Sequence, residues 1–260
     1  MDVAENYKFL VKSAERTIKL IELISSTPSP LTFTEIKDSL KIPKSSLSYL
    51  LEDLENYGYV SRNPMTLRYS KGIRMMEHAI LCVNNTDTLS EINLELERVA
   101  RECGEAMHAG VLDGRFVTYI SKISGGSNIV LTSNIGLRTP AHSTAMGRVL
   151  LAEKSDERIM ELIGERNLER ITPFTLTDIN SLMEEINKIR EQKYAVEIQQ
   201  SVLNAACVAV PVYNFNTHKI MFAISTTVPV TSLTPEYQDK LISILKETSH
   251  CISVKVSTYF

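Results

Sequence analysis

Downstream of Pro43 the apolar positions fall at Leu47, Leu50, Leu51 and Leu54, the i, i+3, i+4, i+7 spacing of one helical stripe. Pro43 stands near the first position of this predicted helix, where a missing N–H costs nothing. At about 100° per residue, Ser45 and Tyr49 point away from the stripe, flanked by Ser46 and Ser48, with Lys44 beside them. Glu52 and Asp53 come only in the later turns. An outward face that is small, hydroxylated and free of negative charge suits a helix that reads base edges in a major groove. It equally suits the solvated face of an ordinary amphipathic helix, so the neighbouring elements must decide.

Residues 11–26 predict a first helix with Val11, Ala14, Ile18, Ile21 and Ile24 on one face, stopped by Ser25-Ser-Thr-Pro-Ser-Pro30. Thr32-Phe-Thr-Glu35 is a capping box that starts a second helix, with Ile36 and Leu40 as its buried pair. Helix, short helix, tight turn and helix make a helix-turn-helix. Two short β-prone runs follow around the Asn63-Pro-Met-Thr66 turn, Gly58-Tyr-Val-Ser-Arg62 and Leu67-Arg-Tyr-Ser70. A hairpin directly after the reading helix is a wing, which places Arg62 and Arg68 against the sugar-phosphate backbone or the minor groove, or leaves them as solvated hairpin arginines. Residues 72–83 predict one more short helix, apolar at Ile73, Met76, Ile80 and Val83, and the polar run 84–88 marks a domain boundary.

The second domain opens with a helix over 89–103. Four or five β-prone runs follow, at 106–112, 116–123, 128–134, 195–212 (read as two strands) and 219–228, the first two joined by an Asp113-Gly114 turn. Helices are expected near 144–152, 157–163 and 178–192, and a last one at Thr234-Pro235 carries Leu241, Ile244, Leu245, Cys251 and Ile252 inward. The pattern gives an α+β fold: an N-terminal winged helix-turn-helix (1–72), a linker helix and hinge (73–88), and a C-terminal antiparallel sheet packed by helices (89–260).

Composition narrows the partners. At 260 residues the chain is long for one domain of about 150. No apolar run approaches the ~18 residues of a spanning helix, and Met1-Asp-Val-Ala-Glu5 does not begin a signal peptide, so no membrane partner is expected. Four scattered cysteines, Cys82, Cys103, Cys207 and Cys251, argue against a disulfide framework or a zinc site and fit a cytoplasmic setting. Net charge is −3, yet six basic residues face three acids between Lys41 and Arg74, around the predicted reading helix. The five histidines are scattered, and G-x-S-x-G, P-loop, G-x-G-x-x-G and H-E-x-x-H motifs are absent. The competing class is a small-molecule enzyme built on the C-terminal domain. Its one candidate pair, His142-Ser143, is adjacent in sequence at a helix start and has no evident acid partner.

Ala141-His-Ser-Thr-Ala-Met-Gly147 is small and hydroxylated at a predicted helix start, where free N–H groups favour a carboxylate; it also fits a capped helix with a packing glycine. Cys207 stands in an apolar strand beside Ala205, Ala206 and Ala209 and reads as a buried thiol beside space left by small residues.

The motifs Ser13-Ala-Glu-Arg16, Leu31-Thr-Phe-Thr-Glu-Ile36, Pro43-Lys-Ser-Ser-Leu47 and Leu54-Glu-Asn-Tyr-Gly-Tyr-Val60 resemble those of IclR-type transcription factors. So do Val111-Leu-Asp-Gly114, Pro140-Ala-His-Ser-Thr-Ala-Met-Gly-Arg148, Thr172-Pro-Phe-Thr175 and Cys207-Val-Ala-Val-Pro211 in the second half. The resemblance implies a GAF/profilin-like C-terminal sensor of a small organic acid or aromatic metabolite. By motif position it carries effector-binding roles onto Leu131, Ala145, Met146, Glu197, Ala205, Cys207, Ser225 and Thr227; Ser143 and Thr144 join them from the helix start. It further implies a homodimer or homotetramer, on a double-stranded DNA operator; repression is the expected sign, and the scattered cysteines and histidines leave no cofactor, metal or catalytic residue expected. Lys44, Ser45, Ser46, Ser48 and Tyr49 are assigned to the major groove, and Arg16, Thr34, Arg62 and Arg68 to phosphates. The chain departs from the family at Ser48-Tyr49, where a histidine-arginine pair is frequent, at Asn204, where a glycine is frequent, and at Arg148, where lysine is usual.

Overall fold

The computed structural model describes residues 11–75, 77, 78, 87–126, 134–164 and 168–257. The chain separates into two compact units, Met1–Thr86 and Asp87–Phe260.

In the first unit three helices, α1 (Lys12–Ser26), α2 (Phe33–Leu40) and α3 (Lys44–Asn56), precede a hairpin of β1 (Val60–Arg62) and β2 (Tyr69–Lys71). The capping box at Thr32 is complete: Thr32 accepts from the Glu35 N–H, and Glu35 Oε2 accepts from the Thr32 N–H at 2.6 Å. Lys41 ends α2 in a left-handed conformation (φ +51°) and turns the chain into α3, whose N-cap is Pro43. Leu47, Leu51 and Leu54 pack with Leu20, Ile24, Ile36, Ile42, Val60 and Tyr69 in one core. Burial of a leucine contributes roughly 1.5–3 kcal/mol, which fixes the rotation of α3 about its axis. Leu31 pairs with Tyr69 by two backbone hydrogen bonds of 2.8 and 2.7 Å, a single bridge that ties the chain before α2 to the wing. Glycine is required at Gly72, where a Cβ would stand 2.1 Å from the Gly58 carbonyl oxygen.

Two expectations are corrected in this unit. The inward face of α1 runs through Leu20 and Ile24, whereas Val11 (58 % exposed) and Ile18 (44 %) face outward. The second wing strand begins at Tyr69, because Leu67 adopts φ +56° and closes the turn. Of the predicted helix over 72–83, positions 73–75, 77 and 78 are helical; Met76 and 79–86 lie outside the described residues.

The second unit holds a six-stranded antiparallel sheet in the order β5-β4-β3-β8-β7-β6. The strands are β3 (Ala106–Asp113), β4 (Phe116–Ile123), β5 (Arg138–Pro140), β6 (Ala195–Ile198), β7 (Ala205–Tyr213) and β8 (Ile220–Pro229). The helices are α4 (Asp87–Cys103), α5 (Ala145–Ala152), α6 (Asp156–Ile163), α7 (Ile179–Gln192) and α8 (Pro235–Val256). Strand alternation gives the sheet two apolar faces. Ala206, Val208, Val210 and Val212 pack toward α4 and α8, while Cys207 and Ala209 pack toward α5 and α7. Thr234 caps α8 by accepting from the Tyr237 N–H, with Pro235 in its first position. On α8, Ile244 and Cys251 are only half-buried. Strand β5 was not expected from the sequence; the expected strand over 128–134 lies outside the described residues except for Asn134, which is not in a strand.

Candidate functional site

In the first unit the outward face of α3 is open. Lys44, Ser45 and Ser48 are exposed and Ser46 is half-buried, while Tyr49 is 69 % exposed. Ser45 and Tyr49 lie opposite the buried leucines, with Ser46 and Ser48 on the flanks, so one short helix carries an anchored side and a free side. Arg16 on α1 donates to Ser46 Oγ at 3.3 Å, which brings a cation from a second helix to this face. Thr34 is exposed in the first turn of α2.

The two wing arginines differ. Arg62 is exposed, with its guanidinium 5.6 Å from the centre of the Tyr69 ring. Arg68 turns back, donating to the Pro30 carbonyl at 2.8 Å and reaching Glu35 Oε2 at 3.4 Å. It ties the wing to the start of α2.

In the second unit a row of side chains crosses the sheet face under α5. Glu197 on β6 stands opposite Cys207 on β7, which stands opposite Thr227 on β8. In the next row His108 on β3 is opposite Ser225, itself opposite Ala209. Tyr119 on β4 meets His108 edge-on, ring centres 5.4 Å apart. Ala145 and Met146 pack over this face with Val117, Tyr119, Ala209 and Ala223.

The 3-10 turn Ala141–Ser143 leads into α5 so closely that a Cβ on Gly147 would lie 2.1 Å from the Ala141 carbonyl oxygen. Thr144 caps α5 by accepting from the Gly147 N–H at 3.0 Å. The amides of Ala145 and Met146 open the helix and have no intrahelical acceptor.

The polar groups here are electrostatically distinct: Glu197, His108 and Arg148 are buried, and Cys207 and Tyr119 half-buried. Glu197 accepts from the Gln200 N–H at 2.8 Å and from the Ser201 hydroxyl. Burial raises its pKa above the ordinary carboxylate value, against those two bonds. Cys207 meets Thr227 Oγ1 at 3.3 Å, and burial followed by the Glu197 charge pushes its thiol well above the usual value. Burial, then Cys207 and Glu197, likewise push the Tyr119 phenol up. Burial together with Lys122 lowers His108 to about 4, leaving its ring neutral at pH 7. Arg148 is almost wholly buried, donating from Nε to the His142 carbonyl at 2.8 Å and from Nη2 to Gln200 Oε1.

Of the residues singled out from the sequence, Ala145, Met146, Glu197, Cys207, Ser225 and Thr227 share this side of the sheet, and Ala205 opens β7 opposite Pro229. Ser143 and Thr144 are buried, but their hydroxyls serve the local turn: Ser143 donates to Pro140 O at 2.9 Å and Thr144 caps α5. Leu131 lies outside the described residues. His108, Tyr119, Gln200 and Ser201 were not singled out. The signal for His108 was available, since it alternates with apolar Met107 and Ala109 along a buried strand. His142 Nε2 donates to the Glu169 carbonyl at 2.9 Å, so its ring and the Ser143 hydroxyl each bond elsewhere. Among the described residues, no group of three or more His, Cys, Asp or Glu is placed to hold a metal ion, and no helix is long and apolar enough to cross a membrane.

Comparison with known proteins places both units. Residues 13–64 match the IclR helix-turn-helix domain, and residues 80–254 match the bacterial transcriptional regulator IclR C-terminal domain. The chain is 31 % identical over 238 residues to the HTH-type transcriptional regulator XynR of Escherichia coli K12, covering 92 % of each chain. An IclR transcriptional regulator from Alicyclobacillus acidocaldarius superposes with a TM-score of 0.82 at 25 % identity, over 95 % of this chain and 99 % of that one. An IclR homologue from Microbacterium hydrocarbonoxydans, solved with 4-hydroxybenzoate, has the same fold, with a TM-score of 0.80 at 20 % identity over 95 % of this chain and all of that one.

Proposed function

Because the chain belongs to the IclR family of bacterial transcriptional regulators, we propose that α3 reads an operator and that the sheet face under α5 holds the effector that controls it. The observation that carries the DNA half is the exposure of Ser45, Ser48 and Tyr49 opposite the buried Leu47, Leu51 and Leu54. Lys44, Ser45, Ser46, Ser48 and Tyr49 enter the major groove as hydrogen-bond donors and acceptors at the N-terminal end of the helix. Arg16, Thr34 and Arg62 hold phosphates. Arg68 serves first as a brace for the wing and reaches phosphate only by leaving Pro30 and Glu35. One winged helix buries too little surface for tight operator binding, so two copies work together on a near-palindromic site.

The effector is a small organic acid, an aromatic acid among the candidates. Three features support this reading: first-turn amides on α5 that suit a carboxylate, an apolar floor of Ala145, Met146, Ala209 and Ala223, and buried Glu197 as acceptor for a ligand hydroxyl. The 4-hydroxybenzoate bound by the Microbacterium homologue has both of these polar ends. Ser225, Thr227, Cys207 and Ala205 complete the wall. Binding here alters operator affinity through the segment 73–88, which requires that the ligand favour one arrangement of the dimer over another. We read the protein as a cytoplasmic repressor released by its ligand.

A thermal-shift screen of organic and phenolic acids against the full chain tests this. A stabilising acid that also weakens operator binding is expected, with both effects lost on Ala145→Leu. Hits whose effect survives Ala145→Leu unchanged would move the site elsewhere, and turnover of a hit would favour the enzyme reading.

A further inference from the structure

Between Arg62 and Arg68 the wing tip carries five consecutive uncharged residues, Asn63, Pro64, Met65, Thr66 and Leu67. Its shape is fixed by local bonds. Asn63 Oδ1 accepts from the N–H groups of Met65 at 2.9 Å and Thr66 at 3.0 Å. The Leu67 N–H donates to Asn63 O at 2.8 Å, and the Asn63 N–H donates to Arg68 O at 2.9 Å. Leu67 is held at φ +56°, a conformation leucine adopts only where surrounding bonds enforce it. The turn therefore presents Met65 at 90 % exposure and Leu67 at 54 %. These side chains contribute little packing to their own unit. The nearby cations are both held at the base of the hairpin, Arg62 over Tyr69 and Arg68 on Pro30 and Glu35. What leads the wing is apolar.

Resting on the reading that α3 docks in a major groove, we propose that Pro64 and Met65 form an apolar wedge that enters the adjacent minor groove and selects DNA by its deformability. Apolar side chains of this kind, methionine and proline included, partly unstack a base step and bend the duplex toward the major groove. Methionine is long, unbranched and polarizable, so it fits an opened step without a fixed shape of its own. Pyrimidine–purine steps open at the lowest cost, whereas stiff A-tracts with a narrow groove favour an inserted arginine. The wedge thus gives the operator a sequence preference at a position that no hydrogen bond reads.

The test uses the full chain and operator duplexes selected by the wild-type protein from a random pool. Bend is read by energy transfer between end labels, and affinity by anisotropy over a range of salt. On a duplex with a TA step under the wing tip, Met65→Gln is expected to reduce the bend and to weaken binding roughly tenfold. With an A-tract at the same place the loss largely disappears, and the salt slope is unchanged throughout because no phosphate contact is removed. Wild-type bend and affinity of Met65→Gln on both duplexes would overturn the wedge. So would a change in its oligomeric state without DNA, which would assign the tip to a contact between copies. The Ser46→Ala, Tyr49→Ala double variant on the same duplexes reports on the reading helix separately: if it binds as wild type, that underlying reading fails instead.

Discussion

Gly147 shows how a single missing side chain shapes the effector half. Any Cβ there would meet the Ala141 carbonyl oxygen at 2.1 Å, so Gly147→Ala must push α5 away from the turn that leads into it. A loss of about 3 kcal/mol is expected, measured by denaturant unfolding; wild-type stability would show that the turn and helix separate freely. His108 gives a signed pH dependence. Its folded pKa of about 4 lies below the ordinary 6.5, so the unfolded chain takes up a proton that the folded chain refuses. That contribution is fully present above pH 6.5 and is lost as pH falls toward 4, up to about 3 kcal/mol. The stability difference between wild type and His108→Gln should therefore shrink or reverse over this window, and a difference flat in pH would contradict the burial of a neutral ring. At this scale the sequence was legible where a motif fixed the backbone, as at Thr144 and Gly147. It was silent on partners brought together by folding. Nothing in the local pattern says that Arg148 is satisfied by the His142 carbonyl and Gln200, or that Arg68 braces Pro30.

Among the elements, α2 and α3 were the most readable because each combines a periodic stripe with a distinct start. The reciprocal bonds of Thr32 and Glu35 make a direct test. Thr32→Ala should cost about 1 kcal/mol in thermal melts of the full chain, chiefly in the transition of the first unit; an unchanged melt would mean the box is dispensable. Helix α1 misled for a physical reason. Ile18, Leu20, Ile21, Leu23 and Ile24 cover so much of its circumference that spacing alone does not choose the inward side, and packing selects Leu20 and Ile24. Strand β5 was illegible because Arg138-Thr-Pro140 has neither alternation nor β-branched content beyond one threonine. Both wing strands begin two residues later than read, at Val60 and Tyr69; for the second, an Asx-type turn around Asn63 and a left-handed Leu67 close the hairpin before Tyr69.

For the molecule as a whole, the division of labour follows from where charge and apolar surface lie. The first unit offers a small, hydroxylated helix face with basic neighbours, and the second a sheet face under α5 lined by buried polar groups and small residues. Family membership joins the two as sensor and reader; the order of elements showed the winged helix in the sequence, and the sensor half was legible only through its resemblance to the family. The surroundings of that face were less visible, because His108 and Tyr119 reach it only through the register of β3 with β4 and β8, and Gln200 only through the loop after β6. The most direct measurement is the affinity of the full chain for its selected operator, set against the Ser46→Ala, Tyr49→Ala double variant with folding verified by thermal melt. Loss of sequence-specific binding by roughly 1–3 kcal/mol per base contact removed, with an unchanged melt, is the expected result. Undiminished discrimination between operator and random DNA by the folded double variant would contradict it.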